Sequence, residues 1–94
     1  MLRSKVWLWP AMDAWHFVSV IKKDSKEIKN LFGGTGRGFG SIPITGTVGK
    51  TKWNTSIFPD KKSNTYVLPL KKEIRKKEDI EVGKTISFSI EIRI

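Results

Sequence analysis

Hydrophobic and polar residues alternate along most of this chain in short segments, which are separated by polar or glycine-containing turns. Alternation with a period of two residues is typical of half-buried β-strands. In the last such segment Ile86, Phe88, Ile90 and Ile92 alternate with polar residues and should point inward. The pattern predicts strands over residues 3–9, 14–21, 41–48, 51–58, 65–70 and 85–94.

Two segments between the strands carry helical periodicity instead. In the first, Asp24 is a candidate N-cap, and Ile28, Leu31 and Phe32 fall on one face of a short helix. The second segment covers residues 71–77, directly after the fifth strand. The predicted order of elements is therefore ββαβ followed by ββαβ.

The chain nearly repeats itself with an offset of 49 residues. Residues 8–10 are matched by chemically similar residues at 57–59, residues 17–18 by 66–67, and residues 21–24 by 70–73. Two copies of one supersecondary unit must pack together to bury a core that neither closes alone. We therefore predict a mainly β protein: a single domain over residues 1–94, built as a small closed or split barrel of about six strands with two short helices. Its two ββαβ pseudo-repeats are expected at residues 1–48 and 50–94.

The segment from Gly33 to Gly40 interrupts the repeat, because the offset falls from 49 to 44 after it. Five of its eight residues are glycine. Glycines allow a backbone to approach a ligand closely and expose N–H groups that can hold an anion, and Arg37 adds a positive charge. Two interpretations stay open here, a binding loop and a flexible connector.

Eighteen Lys and Arg residues oppose nine Asp and Glu residues, which gives a formal net charge of +9. A field of this sign attracts polyanions, although lysine-rich surfaces also serve solubility alone. If the charge has a binding function, nucleic acid is the favoured partner. The expected phosphate contacts are Arg37, Lys50, Lys52, Lys61, Lys62, Lys71, Lys72, Arg75 and Lys76.

Few residues in the chain could support catalysis or cofactor chemistry. The chain has no cysteine and one histidine, His16, which excludes thiolate zinc sites, cysteine nucleophiles and histidine pairs. Lys50 and Lys84 each stand between a glycine and a threonine, but neither segment has the earlier glycine of a phosphate-binding loop. We expect a non-enzymatic monomer with no cofactor, no metal and no membrane association. The lack of cysteine fits a reducing cytoplasm.

The four tryptophans, Trp7, Trp9, Trp15 and Trp53, are many for a chain of 94 residues. Such rings can stack on nucleic acid bases. Because large aromatic side chains dominate small cores, we expect most of the four in the barrel interior.

Four blocks of sequence carry a family resemblance: residues 15–18 (WHFV), 38–43 (GFGSIP), 51–59 (TKWNTSIFP) and 66–71 (YVLPLK). With these blocks the chain resembles the family catalogued as domain of unknown function 1905. The resemblance implies a compact barrel over nearly the whole chain. It implies no established activity.

The second half carries another resemblance. Residues 72–86, preceded by Leu68 and Pro69, resemble the swapped-hairpin signature of the AbrB and MazE-like DNA-binding and antitoxin proteins. Those proteins are small homodimeric barrels, so the resemblance implies that one chain here holds both halves of such a barrel. Glu78, Asp79 and Lys84 depart from that signature.

Three hypotheses for function follow from these observations. The leading one is the binding of nucleic acid or another polyanion, which needs basic residues on one face with aromatic residues between them. The rival is a protein-interaction or small-ligand module, which needs an apolar cleft beside the segment from Gly33 to Gly40. The third is a purely structural accessory domain.

Overall fold

The computed structural model of this chain describes residues 2–9, 15–32 and 40–93. It confirms a mainly β protein with two short helices. In chain order the elements are β1 (Leu2–Lys5), β2 (Trp7–Leu8), β3 (His16–Ser19), α1 (Lys22–Phe32), β4 (Ile42–Val48), β5 (Thr51–Asp60), β6 (Thr65–Leu70), α2 (Lys72–Lys77) and β7 (Thr85–Ile92).

The strands form one antiparallel sheet in the order β1-β7-β4-β5-β6-β3-β2. The two ends of this order are consecutive in the chain, separated only by Val6. The Val6 N–H donates to the Lys84 carbonyl, and the Gly83 N–H donates to the Val6 carbonyl, both at 2.9 Å. The sheet is therefore a nearly closed barrel. It has seven strands rather than about six, because the first predicted strand divides at Val6 and changes partner there from β7 to β3.

The pairing of β3 with β6 has the symmetry that the repeat predicts. Val18 pairs with Leu68, and Ser19 pairs with Val67. By the offset of 49, Val18 is equivalent to Val67 and Ser19 is equivalent to Leu68, so each of these pairs is the counterpart of the other. A pseudo-two-fold axis therefore lies between them. The pairing of β4 with β7 has the same property with the offset of 44.

The first strand departs from this symmetry. Trp7 pairs with Phe17, whereas Pro59 pairs with Tyr66. Phe17 and Tyr66 are equivalent by the offset of 49, so their partners Trp7 and Pro59 occupy equivalent positions in the sheet. The sequence repeat instead matches Pro59 with Pro10, which is three residues after Trp7. The connections differ accordingly, since residues 9–15 join β2 to β3 and only residues 61–64 join β5 to β6. The pseudo-repeats are therefore approximate.

The inner face of the barrel is packed with aliphatic and aromatic side chains. Trp53 lies in this core over Gly46, where an added Cβ atom would sit 3.2 Å from the indole ring. In β7, Phe88 is buried, and the neighbouring inward isoleucines are partly buried against the same core, as predicted. The side chains with at most 1% exposure include Val18, Val20, Ile42, Ile44, Ile57, Leu68 and Phe88.

The two helices follow the ends of β3 and β6. Because these strands are antiparallel neighbours, their carboxyl ends lie at opposite ends of the barrel, and so do the helices. The first helix begins at Lys22 and the Ser25 N–H donates to the Ile21 carbonyl, so the predicted N-cap at Asp24 is wrong. The earlier start places the small side chain of Ser25 against the barrel. The second helix places Ile74 there.

Candidate anion-binding site

Helix α1 separates its charges onto two sides. Lys22, Lys26 and Lys29 follow the spacing i, i+4, i+7, so they lie on one face of the helix and line one groove. Asp24 and Glu27 line a different groove, on the side of the helix that faces β1 and β7. Three of the four lysines of α1 therefore line a different surface from its two carboxylates.

The lysine-lined groove lies between α1 and the turn that joins β5 to β6. Its volume is about 780 Å³. This lies within the range of roughly 300–1,000 Å³ that is usual for ligand sites. Across from the helix stand Pro59, Lys61 and Asn64, and Gly40 borders the groove just after the glycine-rich segment. We call this surface the basic groove; its described lining is Lys22, Ser25, Lys26, Lys29, Asn30, Gly40, Pro59, Asp60, Lys61, Asn64, Thr65 and Tyr66.

The floor of the basic groove is fixed by a buried serine. The Ser25 hydroxyl donates to the Val20 carbonyl and accepts from the Tyr66 N–H, both at 3.0 Å. These bonds tie α1 to β6 and use the hydroxyl as both donor and acceptor. Burial raises the pKa of the Tyr66 phenol above its usual value. The floor is therefore polar, ordered and uncharged at neutral pH.

Asp60 is the one carboxylate among the described residues that line the basic groove. Its Oδ1 accepts from the Lys62 N–H at 3.3 Å, and its Oδ2 accepts from the Ser63 hydroxyl at 2.8 Å. The Asp60 side chain thus orders the β5–β6 turn. With four lysines against this single carboxylate, the described part of the lining carries an excess of positive charge.

The structure divides the predicted phosphate contacts between the two ends of the barrel. Lys61 and Lys62 lie in the β5–β6 turn at the basic groove, and Lys61 lines it. The opposite end of β5 begins after the β4–β5 turn, about 30 Å away at the usual rise for ten residues. Arg37 lies outside the described residues, as does most of the segment from Gly33 to Gly40. The predicted residues on the α2 side are Lys50, Lys52, Lys71, Lys72, Arg75 and Lys76.

The α2 end mixes positive and negative side chains. Arg75 is half-buried, donates from Nε to the Leu70 carbonyl at 3.2 Å, and has Nη1 3.3 Å from Nε2 of His16. Glu78 at the end of α2 accepts from the Thr51 hydroxyl at 2.7 Å. Lys84 lies 3.8 Å from Asp79 and 3.4 Å from Glu81. The positive charges of the α2 end are therefore partly balanced by neighbouring carboxylates.

The sequence prediction missed Lys22, Lys26 and Lys29. Their spacing was the available signal, since i, i+4, i+7 places three cations on one helical face. The turn that completes the site is far away in sequence, and only the packing of α1 against β6 brings Lys61 opposite those lysines.

The tryptophans also differ from the prediction. Trp53 alone of the four belongs to the buried core, whereas Trp7 and Trp9 are half-buried and Trp15 is 48% exposed. These three rings surround Phe17, with ring centroids 5.2–6.0 Å from it. The expectation that most of the tryptophans lie in the interior is wrong, because the outer face of β3 carries an aromatic layer of its own.

In the ranges that the structure describes, no group of three or more His, Cys, Asp or Glu side chains is arranged to hold a metal ion. Neither α1 nor α2, the helices of those ranges, has the length and apolar character needed to cross a membrane.

Comparison with known proteins identifies the chain at the level of a family. No curated protein and no solved structure matches it. The likeness of residues 72–86 to the swapped-hairpin proteins thus stays a prediction. The family model described as domain of unknown function (DUF1905) matches residues 3–90, which is nearly the whole chain of 94. The blocks that suggested this family lie within that match, and the chain belongs to the DUF1905 family.

Proposed function

We propose that this protein is a non-enzymatic binding module for a polyanion, with nucleic acid as the favoured partner, and that the basic groove holds the phosphate backbone. The single observation that carries the proposal is the convergence of Lys22, Lys26, Lys29 and Lys61 on one concave surface. Lysines that serve solubility alone have no reason to face each other across a groove, because their mutual repulsion costs free energy.

The separation of charge on α1 supports this location. The carboxylates of Asp24 and Glu27 line the other groove, apart from Lys22, Lys26 and Lys29. At the α2 end, by contrast, Lys84 and Arg75 already have partners within the protein. A bound phosphate would supply at the groove the negative charge that Asp79 and Glu81 supply to Lys84.

The location differs from the one that the sequence favoured. Of the predicted contacts, Lys61 lines the basic groove and Lys62 neighbours it, while the α2 residues face another surface. The rival hypothesis placed a protein or small-ligand site in the segment from Gly33 to Gly40. Gly40 borders the groove, and the other residues of that segment lie outside the described residues, so the rival stays a prediction.

The test is the salt dependence of binding to fluorescein-labelled DNA, with a duplex and a single strand of the same sequence. Each phosphate contact releases condensed counterions, so log affinity should fall linearly with log salt by about 0.9 per contact for a duplex. The double substitution Lys26→Ala with Lys29→Ala should weaken binding to both probes and flatten the slope by about two units.

The matched control is Lys76→Ala with Lys77→Ala, which removes the same charge from exposed positions of α2. We expect this control to weaken binding only slightly and to leave the slope nearly unchanged. Equal effects of the two double variants would show that net charge alone drives binding. An affinity for DNA no higher than that of an unrelated protein of the same charge would show that the lysines serve solubility alone.

A further inference from the structure

The outer wall of the barrel carries an aromatic face near the end of β6 that leads into α2, along the same strand from the basic groove. Trp7 pairs with Phe17, and Phe17 pairs with Pro69 on the next strand. Residues paired across antiparallel strands point to the same side of a sheet. None of the three belongs to the core cluster of the barrel interior, so this side is the outer one. We call the surface formed by Trp7, Trp9, Trp15, Phe17 and Pro69 the aromatic face.

Trp15 is the exposed member of the aromatic face, and a hydrogen bond holds Trp7. The Trp7 indole Nε1 donates to the Ser19 hydroxyl at 3.0 Å, which fixes the ring. Trp15 stacks on Phe17 with an interplanar angle of 28° and a centroid separation of 6.0 Å, yet 48% of it is exposed. An exposed indole held against a buried ring offers a flat π surface without the entropy cost of ordering it on binding.

Exposed cations flank the aromatic face along its own strands. In the first strand Leu2 and Val6 pack toward the core, so alternation places Arg3 and Lys5 on the outer side, in the row that continues to Trp7. Directly after β6, exposed Lys71 follows Pro69 by two residues in extended backbone. None of the described residues in these outer rows, which also include Ser19 and Val67, is acidic.

Rings between cations are the arrangement that proteins use for single-stranded nucleic acid, in which bases stack on the rings and phosphates contact the charges. We infer that the aromatic face binds unstacked bases, so that the polyanion of this protein is single-stranded nucleic acid. This inference rests on the proposed function and adds the class of ligand. The charges make an apolar peptide or a second copy of this chain, itself at +9, a poor occupant.

The positions of the two surfaces agree with a single polymer contacting both. Thr65 lines the basic groove, and Pro69 lies in the aromatic face on the same strand. Four residues of strand span about 13 Å. A bound strand of a few nucleotides therefore covers this distance, with its backbone at the lysines and its exposed bases at the tryptophans.

The experiment measures the affinity of a labelled twelve-nucleotide oligothymidylate, and of a duplex of the same length, by anisotropy and by quenching of tryptophan fluorescence. Wild type should bind the single strand more tightly and lose tryptophan emission as it binds. Trp15→Ala should weaken single-strand binding by about 5- to 100-fold, as expected for the loss of one stacked base. The salt slope should stay unchanged, since no charge is removed.

Two control variants accompany Trp15→Ala. Leu31→Ala removes another exposed apolar side chain, 65% exposed, from the far side of α1, and it should leave the affinity unchanged. Trp15→Phe keeps a ring and should retain most of the affinity. Thermal melts of all variants separate a loss of binding from a loss of folding.

The outcomes separate this inference from the proposed function. If Lys26→Ala with Lys29→Ala flattens the salt slope but Trp15→Ala changes neither affinity nor quenching, the groove binds a polyanion and the aromatic face has no part in it. A dimer that dissociates on the Trp15 substitution would assign the face to a second copy and overturn the inference. If neither DNA probe binds above the level of a charge-matched protein, both proposals are wrong.

Discussion

The two ends of the barrel are built from equivalent elements and have become different surfaces. The offset of 49 places Ser25 of α1 at the position of Ile74 in α2, and both side chains are buried against the barrel. Ile74 joins the apolar core. Ser25 instead bonds to Val20 and Tyr66 and forms the floor of the basic groove. At this equivalent position the α2 end is packed with an apolar side chain and the α1 end with a hydrogen-bonded polar one.

The charged residues of the two helices differ in the same way. Lys26 corresponds to Arg75 and Lys22 to Lys71 by the offset of 49. Arg75 is held by the Leu70 carbonyl, whereas Lys26 is exposed and lines the groove. The comparison teaches that a cation is available to a ligand only where the protein does not use its donors itself.

The largest effect on stability is expected from a substitution at the apolar end of the barrel, where Ile74 is buried. Ile74→Ala should lower the free energy of unfolding by about 2–5 kcal/mol, because it removes buried apolar surface and leaves a cavity in the core. The measurement is urea unfolding followed by tryptophan fluorescence. Ile74→Val, which keeps most of the volume, should cost about 0.5–1.5 kcal/mol and serves as the control. A loss below 0.5 kcal/mol on substitution by alanine, roughly the level of a surface change, would show that Ile74 does not close the barrel.

A smaller effect is expected at the polar end. Ser25→Ala removes almost no apolar packing but leaves the buried Tyr66 N–H without its acceptor, which should cost about 1–3 kcal/mol in the same unfolding assay. Amide hydrogen exchange should show the Tyr66 N–H less protected in the variant than in wild type. Ser25→Thr keeps the hydroxyl and is the matched control. Unchanged protection of that amide would contradict the role given to Ser25.

The smallest effect concerns pH at the polar end. Burial raises the pKa of the Tyr66 phenol in the folded state above its usual value of about 10, so the folded protein holds this proton more tightly than the unfolded chain does. The stability from this group is complete below pH 10 and is lost as the pH rises through the folded-state pKa.

Because lysines titrate in the same region, the relevant quantity is the difference between wild type and Tyr66→Phe in unfolding free energy from pH 8 to 11. We expect the stability of wild type to fall more steeply above pH 10 than that of the variant. Parallel curves would show that the phenol titrates equally in both states.

Much of the fold could be predicted from the sequence because it rests on local patterns. Alternation located the strands from residue 41 onward closely, and the predicted strand over 65–70 agrees with β6 (Thr65–Leu70). The internal offset anticipated the symmetric pairing of β3 with β6. Gly83 lies between the predicted second helix and the last predicted strand, and its positive φ of 89° is typical of a glycine in a turn.

Local patterns did not reveal which side of a strand would be covered or which charges would meet. Phe17 and Val18 are both buried, although they point to opposite sides of β3, because tryptophans from β2 and the following connection cover the outer one. Alternation alone cannot show this, since it assigns one face of a strand to the core. The interior position predicted for most of the tryptophans failed for that reason.

Composition, periodicity and internal repetition are local properties of the chain, and they already indicate a basic, cysteine-free β protein of the DUF1905 family with two related halves. Only the tertiary structure decided that α1 docks on β6 through Ser25 and that Lys61 stands across a groove from Lys22, Lys26 and Lys29. These contacts join residues about 30–40 positions apart in the chain, and the free energy that selects them comes from closing the barrel as a whole.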